Sequence, residues 1–230
     1  MQPQKPRQVS DYANQCLEAL ATSPWAGKIS LGGAFGLMHY LEYRSTYDVD
    51  AWWAADATSK EREQIVLLLT QTLRPYGEVT TRQWGDVVSV ELHIDRCKAF
   101  SFQIAARSTR LQPPVPSSWN GIHVDSLEDL VASKMVALVE RGAPRDFLDI
   151  YTICQHELFT AVQCWRLWQQ RQFQSGSSTD SDRARLAVQM HLVRIEQHRP
   201  LAGISDPKEQ ASARLVRNWF KSDFLEALHG

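Results

Sequence analysis

Asp48 and Asp50 are separated by one residue in the run Arg44-Ser45-Thr46-Tyr47-Asp48-Val49-Asp50. On a strand, residues i and i+2 point to the same side. Their Cα atoms then stand roughly 6.5 Å apart, two steps of about 3.3 Å. Two carboxylates so placed suit a Mg²⁺ ion shared with the phosphates of a nucleoside triphosphate (NTP). Upstream, Gly32-Gly33 reads as a strand-to-helix turn whose backbone amides can approach an anion closely. Arg44 and Thr46 lie just before the aspartates and could reach the same phosphates. Each feature has a plain structural alternative. An acidic pair at a strand end is often a solvated loop edge, and a glycine pair is often only a turn. Their order and spacing make the metal and phosphate reading more specific than either feature alone.

A second constellation lies downstream. Leu127, Leu130, Val131, Met135 and Leu138 are spaced by threes and fours, as on the buried face of a helix. Asp125 and Glu128 have the form of a capping box at its start. Gly142 sits where a C-terminal glycine cap belongs, and Pro144 is suited to open the next helix. Lys134 falls inside the apolar stripe. A lysine there must be paired or must snorkel to water. It is either a salt-bridged structural residue or a cation facing an anionic ligand. Asp146 and Asp149 follow in the first turns of the next helix, where the dipole favours acids. Either that dipole accounts for them, or Asp146 orients Lys134 or Arg141 or contacts substrate.

The elements that must position these groups follow from periodicity. Helices are expected over 9–22, 34–43 and 58–73, the last stopped by Pro75 and Gly77. Strands are expected over 28–31, 48–53, 78–84, 86–94 and 99–106. The result is an α+β core, a mixed sheet of about five strands with helices packed on it. Residues 111–119 carry Pro113, Pro114 and Pro116 and read as a connector. The chain beyond is helical, with a Ser-rich loop over 174–182.

The bulk numbers exclude more than they assign. Among 230 residues the formal net charge is −1, so no global basic field argues for nonspecific nucleic-acid binding. Cys16, Cys97, Cys154 and Cys164 show no metal or disulfide spacing and read as buried reduced thiols. No apolar stretch is long enough to span a membrane, and Met1–Ser10 lacks a signal-peptide pattern. The expected placement is the cytoplasm.

Two blocks resemble a known family. One is Leu31-Gly32-Gly33-Ala34 through Tyr43-Arg44-Ser45-Thr46-Tyr47-Asp48-Val49-Asp50. The other is Lys134-Met135-Val136-Ala137-Leu138-Val139-Glu140-Arg141-Gly142-Ala143-Pro144-Arg145-Asp146-Phe147-Leu148-Asp149-Ile150-Tyr151. Both are similar to motifs of the AbiEii/AbiGii-type nucleotidyltransferases, which have the DNA polymerase β-like minimal nucleotidyltransferase fold. The connector sets off a core over residues 1–112 from a helical C-terminal region over 120–230, and the resemblance implies that the core is the nucleotidyltransferase domain. The resemblance implies transfer of a nucleotide from an NTP, with Mg²⁺, to an RNA or other acceptor. It further implies a toxin-like or housekeeping enzyme, of a kind often encoded beside an antitoxin that would be its partner. Carried over, Gly32 and Gly33 cradle phosphate, Asp48 and Asp50 bind metal, and Lys134 and Asp146 complete the site.

One departure matters. Such sites usually add a third carboxylate on a later strand, and the expected position holds Gln103. Glutamine cannot act as a base and is a poor substitute for a carboxylate on Mg²⁺. Glu91 and Asp95 are the candidate replacements. One rival is therefore a noncatalytic relative that binds nucleotides or a protein partner. Another is an RNA-binding surface built from Arg183, Arg185, Arg194, Arg199, Arg214 and Arg217 with Trp219 and Phe220. Of Trp52 and Trp53, one is expected in the core and the other near the site. Trp165 and Trp168 are expected in the core, and His39 is expected to be structural.

Overall fold

Alternating burial along Asp48–Trp53 gives the sheet two unlike faces: Val49, Ala51 and Trp53 are buried, while Asp48, Asp50 and Trp52 are partly exposed. In the computed structural model, which describes residues 1–107 and 109–228, the chain forms two compact units, Met1–Leu130 and Val131–Gly230.

The first unit holds a mixed sheet of β1 (Ile29–Gly32), β2 (Asp48–Trp53), β3 (Glu78–Trp84), β4 (Val87–Ile94), β5 (Cys97–Ala105), β6 (Val115–Pro116) and β7 (His123–Val124), seven strands among the described residues. Their order is β3-β4-β5-β2-β1-β7-β6. β2 runs antiparallel to β1 and parallel to β5. Five strands match the sequence reading. The two added ones are two residues each, too short to show any period. β6 lies inside the expected connector and gains its pairing from β7, which in turn pairs with Ser30 and Leu31 of β1.

Three helices cover this sheet. α1 (Asp11–Ala21) and α3 (Ser59–Leu73) pack on each other and on its apolar face, where Phe100, Phe102, Ile104, Val90 and Leu92 are buried. α3 opens with a capping box in which Thr58 and Glu61 satisfy each other's amides. α2 spans only Gly33–Met38, five residues short of its expected end at Tyr43. Its last turn tightens, and long-range bonds take over: Gln4 N–H donates to His39 O, and Tyr40 Oη donates to Asp125 O at 2.9 Å.

α4 (Leu127–Glu140) starts one residue later than expected. Ser126, not Asp125, is its cap: Ser126 Oγ accepts from Asp129 N–H at 3.0 Å. Asp125 is instead buried against the Arg107 guanidinium and Ser30. Asp129 takes the backbone amides of Leu111 and Gln112, so the proline-rich segment is anchored at its start. Gly142 ends α4 at φ +53 and returns its amide to Ala137 O, as a glycine terminator should.

The second unit continues with α5 (Pro144–Gln155), α6 (Ala161–Gln174), α7 (Ser181–His198) and α8 (Pro207–Trp219). A π-helical turn over Phe220–Phe224 closes an aromatic core with Phe147, Trp165 and Trp168. Trp165 donates to Phe224 O at 3.2 Å. No helix among the described residues is long and apolar enough to cross a membrane.

Candidate functional site

The sheet register assembles the acidic pair with its neighbours. On β2, Asp48 lies opposite Ser101 and Asp50 opposite Gln103 of β5. β4 places Glu91 opposite Ser101 and Ser89 opposite Gln103. Opposed residues share a face, so Asp48, Asp50, Ser101, Gln103, Ser89 and Glu91 all stand on the polar side of the sheet. Gln103 therefore occupies the neighbouring-strand position expected for a third carboxylate.

Ser101, which the sequence does not single out, fixes the first aspartate. Its hydroxyl donates to Asp48 Oδ1 at 2.6 Å, and Gln103 Nε2 donates to Ser101 Oγ at 3.4 Å. Lys98 Nζ stands 3.7 Å from the same carboxylate oxygen. Asp48 keeps 39% of its side chain exposed, and its Oδ2 accepts from no described residue. The chemistry of this set suits a hard cation: two carboxylates on one face, one with an open oxygen, beside an amide.

The glycine pair is required by what lies against it. A Cβ on Gly32 would run into the indole of Trp52, and one on Gly33 would run into the carboxylate of Asp50. Gly33 also holds φ +58, the left-handed region that side chains disfavour. The glycines thus bring the start of α2 directly against the second aspartate. Gly85, in the β3–β4 turn, has a similar φ of +54 with nothing near its Cβ position. Gly85→Ala is expected to cost about 1–2 kcal/mol for the backbone alone. Gly33→Ala should cost clearly more and should also weaken Mn²⁺ binding, read by urea melts and by titration. Equal costs would mean that the Asp50 contact does not matter.

Trp52 and Trp53 divide as expected. Trp53 is buried under Arg62, and Trp52 lies on the aspartate face with the Arg107 guanidinium 4.9 Å from its ring centre. Thr46 spends its hydroxyl on Asp48 O at 3.2 Å, which ties the entry to β2. Arg44 stacks its guanidinium 5.7 Å from the Tyr43 ring. His39 is structural: buried, with Nδ1 3.0 Å from Phe35 O and its pKa depressed to about 4 by desolvation.

The candidate replacements for the third acid are placed differently. Asp95 sits in the β4–β5 turn at φ 50, beyond the last pair Ile94–Cys97, roughly 10 Å or more along the strand from Glu91. Glu91 shares the aspartate face, but Arg82 and His93 hold its Oε2 at 3.3 and 3.4 Å. Arg82 belongs to β3, so that contact draws the carboxylate away from β2. Among the described residues, no group of three His, Cys, Asp or Glu is gathered for a metal.

Lys134 and Asp146 belong to the second unit. Lys134 is buried and pairs with Asp149 Oδ2 at 2.5 Å. Asp146 orients Arg141, not Lys134: it accepts Arg141 Nε and one terminal nitrogen, each at 2.8 Å, and the Ala143 amide at 3.0 Å. The arginine surface read from the sequence is only partly a surface. Arg217 is buried and donates to Arg199 O, Arg199 pairs with Glu209, and Phe220 lies in the aromatic core. Of the cysteines, Cys16 and Cys164 are buried as expected, Cys154 is half-buried, and Cys97 is exposed because it opens β5 beside the hairpin turn.

No curated protein matches the chain. A family model described as "Nucleotidyl transferase AbiEii toxin, Type IV TA system" matches residues 15–217, a span that holds the glycine pair, both aspartates and the Lys134–Tyr151 block. The chain belongs to the AbiEii nucleotidyl transferase toxin family of type IV toxin–antitoxin systems.

Proposed function

We propose that the chain transfers a nucleotide from an NTP to an RNA or other acceptor, with Mg²⁺ held by Asp48 and Asp50. The observation that carries this reading is the pairing of two same-face aspartates with Gly33 packed against the second of them. Bound there, the cation would neutralise the phosphates and align the attacking oxygen with the α-phosphorus. Ser101 holds Asp48 in one orientation, and the backbone at Gly32 and Gly33 offers its amides to phosphate oxygens. The acceptor's oxygen forms a bond to the α-phosphorus, and pyrophosphate leaves. Gln103 cannot take the acceptor's proton, which in this reading passes to water. Thr46 and Arg44 shape the loop that enters β2, with Arg44 the nearer to a phosphate-binding role by its charge. The family resemblance also assigns Lys134 and Asp146 to the site. Their ion pairs support a structural role as well, and NTP affinity measured on a folded Lys134 variant separates the two.

Gln103 beside Asp50 favours one alternative, a relative that binds nucleotide without transferring it. Incubation with each α-labelled NTP, MgCl₂ and total RNA decides between them. Label from one NTP should appear on an acceptor that mass spectrometry then identifies. Tight NTP binding with no label on any RNA or protein would establish the binding-only alternative. An antitoxin partner, as the family suggests, would be sought as a protein or gene product that suppresses the transfer.

A further inference from the structure

Strict alternation along β5 would put Lys98 on the apolar face, because Ser101 faces the aspartates and Phe100 does not. The register breaks before it gets there. Leu92 lies opposite Phe100, but His93 lies opposite Lys98, so Ala99 is an extra residue with no partner. Such a bulge reverses the side-chain direction of everything beyond it and often sits beside an active site. Lys98 consequently emerges on the aspartate face, together with His93, and its Nζ reaches within 3.7 Å of Asp48 Oδ1.

That contact explains little by itself. It is longer than a charge-assisted hydrogen bond, and the lysine side chain is 44% exposed, so the pair adds little to stability. Asp48 Oδ1 already has a hydroxyl donor in Ser101. The backbone irregularity therefore delivers a half-exposed cation to the acidic pair with little structural return. A divalent ion on the aspartates would displace the ammonium from Asp48 and leave it beside the polyphosphate that arrives with the ion. Lysine suits that task as a compact point charge on a flexible stem.

We infer that Lys98, turned onto the aspartate face by the Ala99 bulge, is a triphosphate-binding residue of this site. The inference rests on the nucleotidyltransferase reading above and adds a residue that the two sequence blocks do not contain. It predicts opposite effects on two ligands. Without Lys98, the phosphates lose a cation while the metal loses a competitor for Asp48.

The test uses the full chain with Lys98→Ala and Lys98→Arg. Affinity for ATP, GTP, CTP and UTP, each with MgCl₂, is measured by calorimetry. Mn²⁺ binding without nucleotide is measured by electron paramagnetic resonance. Lys98→Ala should weaken the preferred NTP by about 10-fold or more, leave Mn²⁺ binding equal or tighter, and keep the wild-type melting temperature. Lys98→Arg should retain most of the NTP affinity. NTP affinity within about 2-fold of wild type in Lys98→Ala would overturn the inference. So would a parallel loss of Mn²⁺ and NTP binding, which would mark a distorted site. A wild-type chain that binds none of the four nucleotides would instead overturn the nucleotidyltransferase reading itself, and this inference with it.

Discussion

Asp48→Asn combined with Asp50→Asn is expected to reduce nucleotidyl transfer by about 10³-fold or more while leaving the fold in place. A metal acting on a phosphoryl group supplies several kcal/mol of transition-state stabilisation, and each 1.36 kcal/mol is tenfold in rate. Asparagine keeps the shape of each side chain and an oxygen for the Ser101 hydroxyl, but removes both negative charges. Asp48 is partly exposed on the polar face, so the double variant should melt within about 1 kcal/mol of wild type. Circular dichroism and thermal melting check the fold, and labelled transfer checks the chemistry. Transfer at the wild-type rate would remove these aspartates from the mechanism.

The strand that carries the aspartates was legible because its alternation is strict. Asp48–Trp53 is both the expected and the observed extent of β2. α3 was legible for a similar reason: Thr58 and Glu61 announce a helix start, and the observed capping box uses both. α2 was not. Its sequence keeps Tyr40, Leu41 and Tyr43 as apolar continuations, but the chain leaves the helix at His39, next to Tyr40, which bonds to Asp125 far along the sequence. A bond of that kind leaves no trace in a local window. The start of α4 failed for a neighbouring reason. Asp125 and Ser126 are both good caps, and the choice fell to Ser126 once Arg107 claimed Asp125.

The same division runs through the site. Gln103 was placed beside the aspartates by the family's third-carboxylate pattern, and the register puts it opposite Asp50. Ser101 is a common residue on an ordinary strand, and only the register reveals that its hydroxyl lies on Asp48. Lys98 was hidden more deeply. Reading it by alternation from Ser101 gives the wrong face, and one unpaired alanine corrects it. Lys134 was visible as an anomaly, a charge in an apolar stripe, but its partner was not. Asp149 is one of two acids near the start of α5, three residues apart, and the fold gives Asp146 to Arg141 and Asp149 to Lys134.

That pairing makes Lys134→Ala a stability experiment before it is a functional one. Lys134 and Asp149 are both buried, at 9% and 0% side-chain exposure, with 2.5 Å between charged atoms. Removing the lysine takes one charged partner from a fully buried carboxylate. Breaking a buried pair costs up to about 3–5 kcal/mol, a large part of a usual folding free energy of about 5–15 kcal/mol. Lys134→Ala should therefore melt much lower than wild type, whatever it does to NTP binding. Lys134→Met keeps the volume of the lysine stem and should recover the packing part of the loss. Held below its melting temperature, that variant is the informative one for function. If Lys134 serves only the helical unit, NTP affinity in that variant should match wild type. A retained fold with weakened NTP binding would instead place Lys134 in the site, as the family resemblance implies. A Lys134→Ala variant as stable as wild type would refute the buried pair as a structural element.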